Sequence, residues 1–109
     1  MQATNAAQAD AADIEGLVRK AGEAAEFLKL IANENRLLIL CQLLGHGEMS
    51  VNALAGAVGL GQSALSQHLA RLREDGLVAT RRDGQSIHYR IADPRALRLL
   101  ETLKLTFCP

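Results

Sequence analysis

The chain has 109 residues, room for one domain of ordinary size. Nearly half are apolar, but only Phe27, Tyr89 and Phe107 are aromatic, so the core must come from Leu, Ile, Val and Ala, as in helical domains. Twelve basic residues balance twelve acidic ones, which excludes a purely electrostatic, histone-like DNA binder and leaves room for a specific one whose charge is local.

Residues 1 to about 11 are small and polar and are expected to be a disordered tail, with one domain over residues 12–109. The start lacks the basic and apolar regions of a signal peptide. No apolar run approaches the ~20 residues that cross a bilayer, so no membrane partner is expected. A cytoplasmic location follows, where a permanent disulfide between Cys41 and Cys108 is not expected. Asp13 is placed to cap a first helix whose stripe runs through Ile14, Leu17, Val18, Ala21, Ala25 and Leu28. That stripe suits either the domain core or a second protomer.

A second helix is expected from about Glu34 to Leu44, capped by Asn33 and ended by Gly45-His46-Gly47. Leu37, Leu38, Ile39, Leu40, Leu43 and Leu44 leave it almost no polar face, the pattern of a central, buried helix carrying Cys41. Residues 47–50 lead onward, with room for a short strand that pairs further along the chain.

Ser50 then caps a helix with Val51, Leu54, Ala55 and Val58 on one face. Gly59-Leu60-Gly61 reads as a sharp turn in which both glycines can take positive φ and Leu60 plugs the gap. The next helix turns Leu65, Leu69 and Leu72 inward and Ser63, Gln67, Ala70 and Glu74 outward. The spacing is that of a helix-turn-helix, whose second helix enters the major groove of DNA. Gln62, Ser63, Ser66 and Gln67 can bond base edges near a helix N-terminus that favours phosphate, with Ser66 and Arg71 on the flanks and His68 counted among the DNA-binding residues. A solvated face on an ordinary helical hairpin would look similar, and the next segment separates the two.

Ile87, Tyr89 and Ile91 alternate with Ser86, His88 and Arg90, the period of a strand, and Asp83-Gly84 is a hairpin turn signal. Arg81 and Arg82 lie by the tip, and residues 71–90 hold five arginines against Glu74, Asp75 and Asp83. A helix-turn-helix followed by a basic hairpin makes a mainly α, winged helix-turn-helix fold. Asp93 as cap and Pro94 at the first helical position start a last helix with a stripe through Ala96, Leu99, Leu100, Leu103 and Phe107, widened by Leu97 and Leu105. Two apolar faces on a terminal helix suggest one for the domain and one for a partner.

The runs QSALSQHLARLREDGLV and RRDGQSIHYRI, with ANENRLLILCQLL upstream, resemble the ArsR/SmtB family of bacterial winged-helix repressors over roughly residues 14–108. The resemblance implies a homodimer, built on the first and last helices, that holds double-stranded operator DNA at an inverted repeat and lets go when an inducer alters it. It implies no cofactor and no enzymatic activity. No Cys-His or Cys-x-x-Cys arrangement supports a thiol enzyme either, and a mere protein-interaction module would not need the wing-tip arginines.

The family's metal sensors place Cys-x-Cys before the turn, or Asp and His along the last helix. Here the helix before the turn is VNALAGAV and the last helix offers Asp93 and Glu101 but no histidine, so no metal ligand is assigned and a metal-responsive repressor, with a site shared by two protomers, is the less favoured alternative. His46, His68 and His88 also lack paired ligand spacing. Taken by themselves, Cys41 suits a small core hydrophobe and Cys108 an incidental tail residue. The resemblance narrows further to the branch of BigR and SqrR type, which senses persulfides through one cysteine in the second helix and one near the end of the last. Cys41 in LLILCQLL and Cys108 in LTFCP match those positions. The similar HlyU type keeps the same pair and is linked to oxidants as well as sulfur, so the inducer stays open between reactive sulfur species and peroxide. Lys104, one turn before Cys108, favours its thiolate while the helix C-terminus opposes it. Apolar neighbours are expected to raise Cys41, leaving Cys108 to react first.

Overall fold

The computed structural model describes residues 10–108. They divide between Ile31 and Ala32 into two compact units. In the first, α1 (Ala11–Arg19) and α2 (Ala21–Ile31) follow one another. Most of the tail expected to be disordered, residues 1–9, lies outside the described residues. Asp10, not Asp13, caps α1: its carboxylate accepts from the Ala12 N–H at 3.1 Å. Asp13 falls in the first turn, where its charge faces the positive helix end.

The single long helix expected here is broken at Lys20, whose φ of −102° and ψ of 11° leave the helical well. The Lys20 N–H is shared between the carbonyls of Gly16 (3.2 Å) and Leu17 (3.0 Å), and Ala24 then donates to Lys20 (2.9 Å) to start α2. Gly16 and Gly22 flank the break, and each costs a helix ~1 kcal/mol relative to Ala.

In the second unit α3 (Glu34–His46) leads into β1 (Met49–Ser50), α4 (Val51–Val58), α5 (Gln62–Glu74), β2 (Val78–Asp83), β3 (Ser86–Ile91) and α6 (Pro94–Phe107). Asn33 caps α3, accepting from the Arg36 N–H at 3.1 Å. The helix touches α4, α5, α6 and β3 and so occupies the centre of the unit. Only one face is sunk, however. Ile39, Leu40 and Leu43 are buried, while Leu38 and Cys41 are exposed and Leu37 and Leu44 are half-buried.

The remaining core comes from Met49, Leu54, Leu65, Leu69, Leu72, Leu77, Val78, Ala96 and Leu100. Burying one such large side chain stabilises the fold by ~1.5–3 kcal/mol. The three inward leucines of α5 therefore fix how that helix sits on α3, and with it the direction of its opposite face.

The sheet is antiparallel in the order β1-β3-β2, so the short strand expected near residues 47–50 forms and pairs Met49 with Tyr89 and Ser50 with His88. Register between β2 and β3 places Asp83 opposite Ser86, leaving Gly84-Gln85 as a two-residue loop. Gly84 has φ of 64° and no non-glycine residue among those described has positive φ, so positive φ is confined to the first loop position. That is the demand of a type II′ turn rather than of the Asp-Gly type I′ turn. The architecture is a mainly α winged helix-turn-helix.

Candidate nucleic-acid interface and thiol cavity

The helix-turn-helix is set by two backbone events. Ser50 caps α4 by accepting from the Ala53 N–H at 3.2 Å. Gly59 then closes α4 in the left-handed region (φ 72°, ψ 24°). Of the two turn glycines only this one needs its freedom, because Gly61 is extended (φ −67°, ψ 160°) at the N-cap of α5. With Leu65, Leu69 and Leu72 buried, Gln62, Ser63, Ser66, Gln67 and Arg71 are exposed and His68 is half-buried. The expected outward face of α5 is thus the observed one.

Two of the expected DNA-facing side chains are engaged within the protein. Gln62 Nε2 donates to Asn52 Oδ1 of α4 at 3.2 Å, across the turn. Arg81 donates from Nε (2.8 Å) and Nη2 (2.7 Å) to Glu48 Oε1, with Asp83 3.9 Å from Nη1. The Arg81 hydrogen bond holds the Glu48 carboxyl below the usual glutamate range, against a smaller opposing effect of lost hydration. Arg82 is exposed, and its side chain makes no hydrogen bond or ion pair among the described residues. Ser66 lines a shallow cleft with Arg73, Glu74 and Tyr89. Asn52 and Glu48 were missed by sequence reasoning. An acid entering a basic sheet was a usable signal for Glu48; nothing in the spacing of Asn52 and Gln62 announces their contact.

Asp93 starts α6 as expected, accepting from the Arg95 N–H at 2.8 Å, and the Arg95 guanidinium folds back on the same carboxylate. Those bonds hold Asp93 below the usual aspartate range. At the other end of α6 the Cys108 N–H donates to the Lys104 carbonyl at 2.7 Å.

The structure brings Cys41 and Cys108 to one cavity of about 620 Å³ between α3 and α6. Leu37 and Leu44 of α3 and Leu100, Leu103 and Phe107 of α6 also line it, with Glu101 and Lys104. Both thiols are free and solvent-reachable. Loss of hydration among these apolar neighbours pushes the Cys41 thiol up, and the proximity of Cys108 adds to the effect. His46, His68 and His88 stand apart at the end of α3, on α5 and on β3. Among the described residues no three His, Cys, Asp or Glu side chains gather as a metal site would require. No helix among the described residues is long and apolar enough to cross a membrane.

The sequence profile of bacterial regulatory proteins of the arsR family matches residues 33–80, from the cap of α3 into β2. The chain is 42% identical over 96 residues to the transcriptional activator HlyU of Vibrio cholerae, covering 88% of each protein. The chain belongs to the arsR family. Another arsR-family relative, the biofilm growth-associated repressor of Xylella fastidiosa, is 40% identical over 94 residues, or 86% of this chain and 82% of that protein. The crystal structure of the repressor BigR from the same organism superposes with a TM-score of 0.81 at 40% identity, covering 87% of this chain and 96% of that one. HlyU of Vibrio cholerae in its reduced form gives 0.79 at 42% identity, over 87% and 99%. This arsR-family chain is accordingly a DNA-binding transcriptional regulator, not an enzyme.

Proposed function

We propose that the protein is a cytoplasmic, homodimeric repressor, released from an inverted-repeat operator when a reactive sulfur species bridges Cys41 to Cys108. The observation that carries this reading is the shared cavity: two free thiols from α3 and α6 face the same space. On DNA, Gln62, Ser63, Ser66, Gln67 and His68 read bases while Arg71, Arg81 and Arg82 meet phosphate or the minor groove. The two recognition helices then lie about one helical turn apart, ~34–36 Å. Gln67→Ala should cost ~1–3 kcal/mol and relax specificity at one base position.

Chemistry starts at Cys108, because the raised Cys41 thiol supplies less thiolate at neutral pH. The Cys108 thiolate attacks the outer sulfur of a persulfide R–S–SH; that S–S bond breaks and R–S⁻ leaves with a proton as R–SH. A second donor persulfidates Cys41 in the same way. The Cys108 perthiolate then attacks the Cys41 sulfur and expels hydrosulfide, forming a trisulfide. In sum, two persulfides and two thiols give one trisulfide, two thiols R–SH and one hydrogen sulfide. A plain disulfide requires Cα atoms within ~7 Å, whereas each inserted sulfur lengthens the reach. The bridge ties α6 to α3. A loss of ~3–4 kcal/mol of DNA affinity is a several-hundredfold release.

A persulfide donor should release operator DNA in a mobility-shift assay and add sulfur mass to an intramolecular Cys41–Cys108 bridge. Dithiothreitol should reverse it, and Cys41→Ser or Cys108→Ser should leave a regulator permanently bound. Stoichiometric zinc should leave binding unchanged. The solvent-reachable free thiols also favour a second reading, peroxide sensing through a plain disulfide. Equal release by hydrogen peroxide through such a bond would select it. Persulfide-driven release from the double Cys→Ser variant would end both readings.

A further inference from the structure

Access for one sulfur atom needs little room, yet both thiols open onto about 620 Å³, a volume in the range of small-molecule sites. Its walls are chemically one-sided. Leu37, Leu44, Leu100, Leu103 and Phe107 supply aliphatic and aromatic surface, and only Glu101 and Lys104 bring formal charge. Leu100, Leu103, Lys104 and Phe107 recur at the spacing of one α6 face, and Leu37, Cys41 and Leu44 at that of one α3 face. An anionic or strongly hydrated donor would shed water against those walls with Lys104 as its one cationic partner there, set beside the like charge of Glu101. An apolar chain would be drawn in by the burial of its own surface.

We propose that this cavity selects the inducer by its carbon portion, taking a sulfur electrophile with an apolar alkyl tail in preference to an inorganic polysulfide or a persulfide borne on a charged peptide. The inference rests on the thiol-switch reading and adds the class of molecule that reaches it. The tail lies along Leu100, Leu103 and Phe107, and its reactive sulfur is presented to Cys108 at the end of the same helix.

The protein is tested with a series of n-alkyl methanethiosulfonates, methyl to hexyl, and the charged sulfonatoethyl analogue. The Cys108 thiolate attacks the sulfenyl sulfur, forms Cys108–S–S–R and expels methanesulfinate, so the adduct mass on the Cys108 peptide reports the rate. Each rate is divided by that of free glutathione with the same reagent. The normalised rate should rise about fourfold per methylene, the equivalent of ~0.8 kcal/mol per buried CH₂, until the cavity is filled. The sulfonatoethyl reagent should fall below ethyl. A second readout needs no thiol: in the double Cys→Ser variant, n-hexanol should shift the methyl NMR resonances of Leu100 and Leu103. A flat normalised series, or a sulfonatoethyl rate equal to that of ethyl, overturns the inference. Operator release by a persulfide donor, measured in parallel, reports on the switch separately, so a flat series with intact release removes only the selectivity.

Discussion

Arg81 and Arg82 are neighbours in sequence with different surroundings. Arg81 is bound to Glu48 through two nitrogens, whereas the Arg82 side chain is exposed and unengaged among the described residues. An arginine held by a carboxylate must exchange partners before it can neutralise a phosphate. Arg82→Ala should therefore lower the salt slope of operator binding by about one per subunit, or about two for the dimer. Arg81→Ala should lower it less, and Glu48→Gln should steepen it by freeing Arg81. An Arg81→Ala slope change as large as that of Arg82→Ala would show that Glu48 is no competitor. Acid reaches this pair late. Because Arg81 lowers the Glu48 carboxyl, the contact persists through the ordinary glutamate range and is lost as pH falls through the depressed value. Charge counting along the hairpin could not separate the two arginines, since the difference lies in a carboxylate 33 residues upstream.

At the scale of elements, the two turn glycines make a matched test. Gly59 has φ of 72°, where any side chain is strained, while Gly61 has φ of −67° and open space around the position a Cβ would take. Gly59→Ala should destabilise the fold by ~1 kcal/mol or more, seen as a lower thermal midpoint. Gly61→Ser should be neutral or stabilising by a few tenths of a kcal/mol, because Ser is a good N-cap. Equal losses at both positions would contradict the assigned turn. The helices of the second unit were legible because their caps are local: Asn33, Ser50 and Asp93 each accept from a backbone N–H two or three residues on. The break at Lys20 was not, since its apolar stripe continues across it and only the glycines hint at an interruption. The hairpin was legible as a hairpin but not in its loop, because Asp-Gly and Gly-Gln compete for two positions and strand pairing chooses.

For the whole molecule, the single chain leaves apolar surface in the open. On α6, Leu105 is 70% exposed, and on α1 Leu17 and Val18 are 57% and 66% exposed. Scattered apolar side chains need no explanation, but stripes along the two terminal helices fit a homodimer. Leu105→Glu and Val18→Glu should each shift sedimentation toward monomer and weaken operator binding at least tenfold. A variant that stays dimeric would place the interface elsewhere. This surface was visible as excess apolar width on the last helix. The thiol cavity was not, because a helix apolar nearly all round reads as buried, and only packing reveals that Cys41 faces open space.

Both cysteines of the cavity come from the same chain. Under the proposed thiol switch a homodimer would carry two such cysteine pairs, and the shape of its dose–response would depend on how they combine. If one bridged subunit suffices for release, DNA occupancy falls as the square of the unmodified fraction, and the regulator trips early at low inducer. If both must be bridged, half-modified dimers stay bound and the same chemistry filters out brief exposures. Early alarm or noise filter would then be decided by the coupling between subunits, with no change in either thiol.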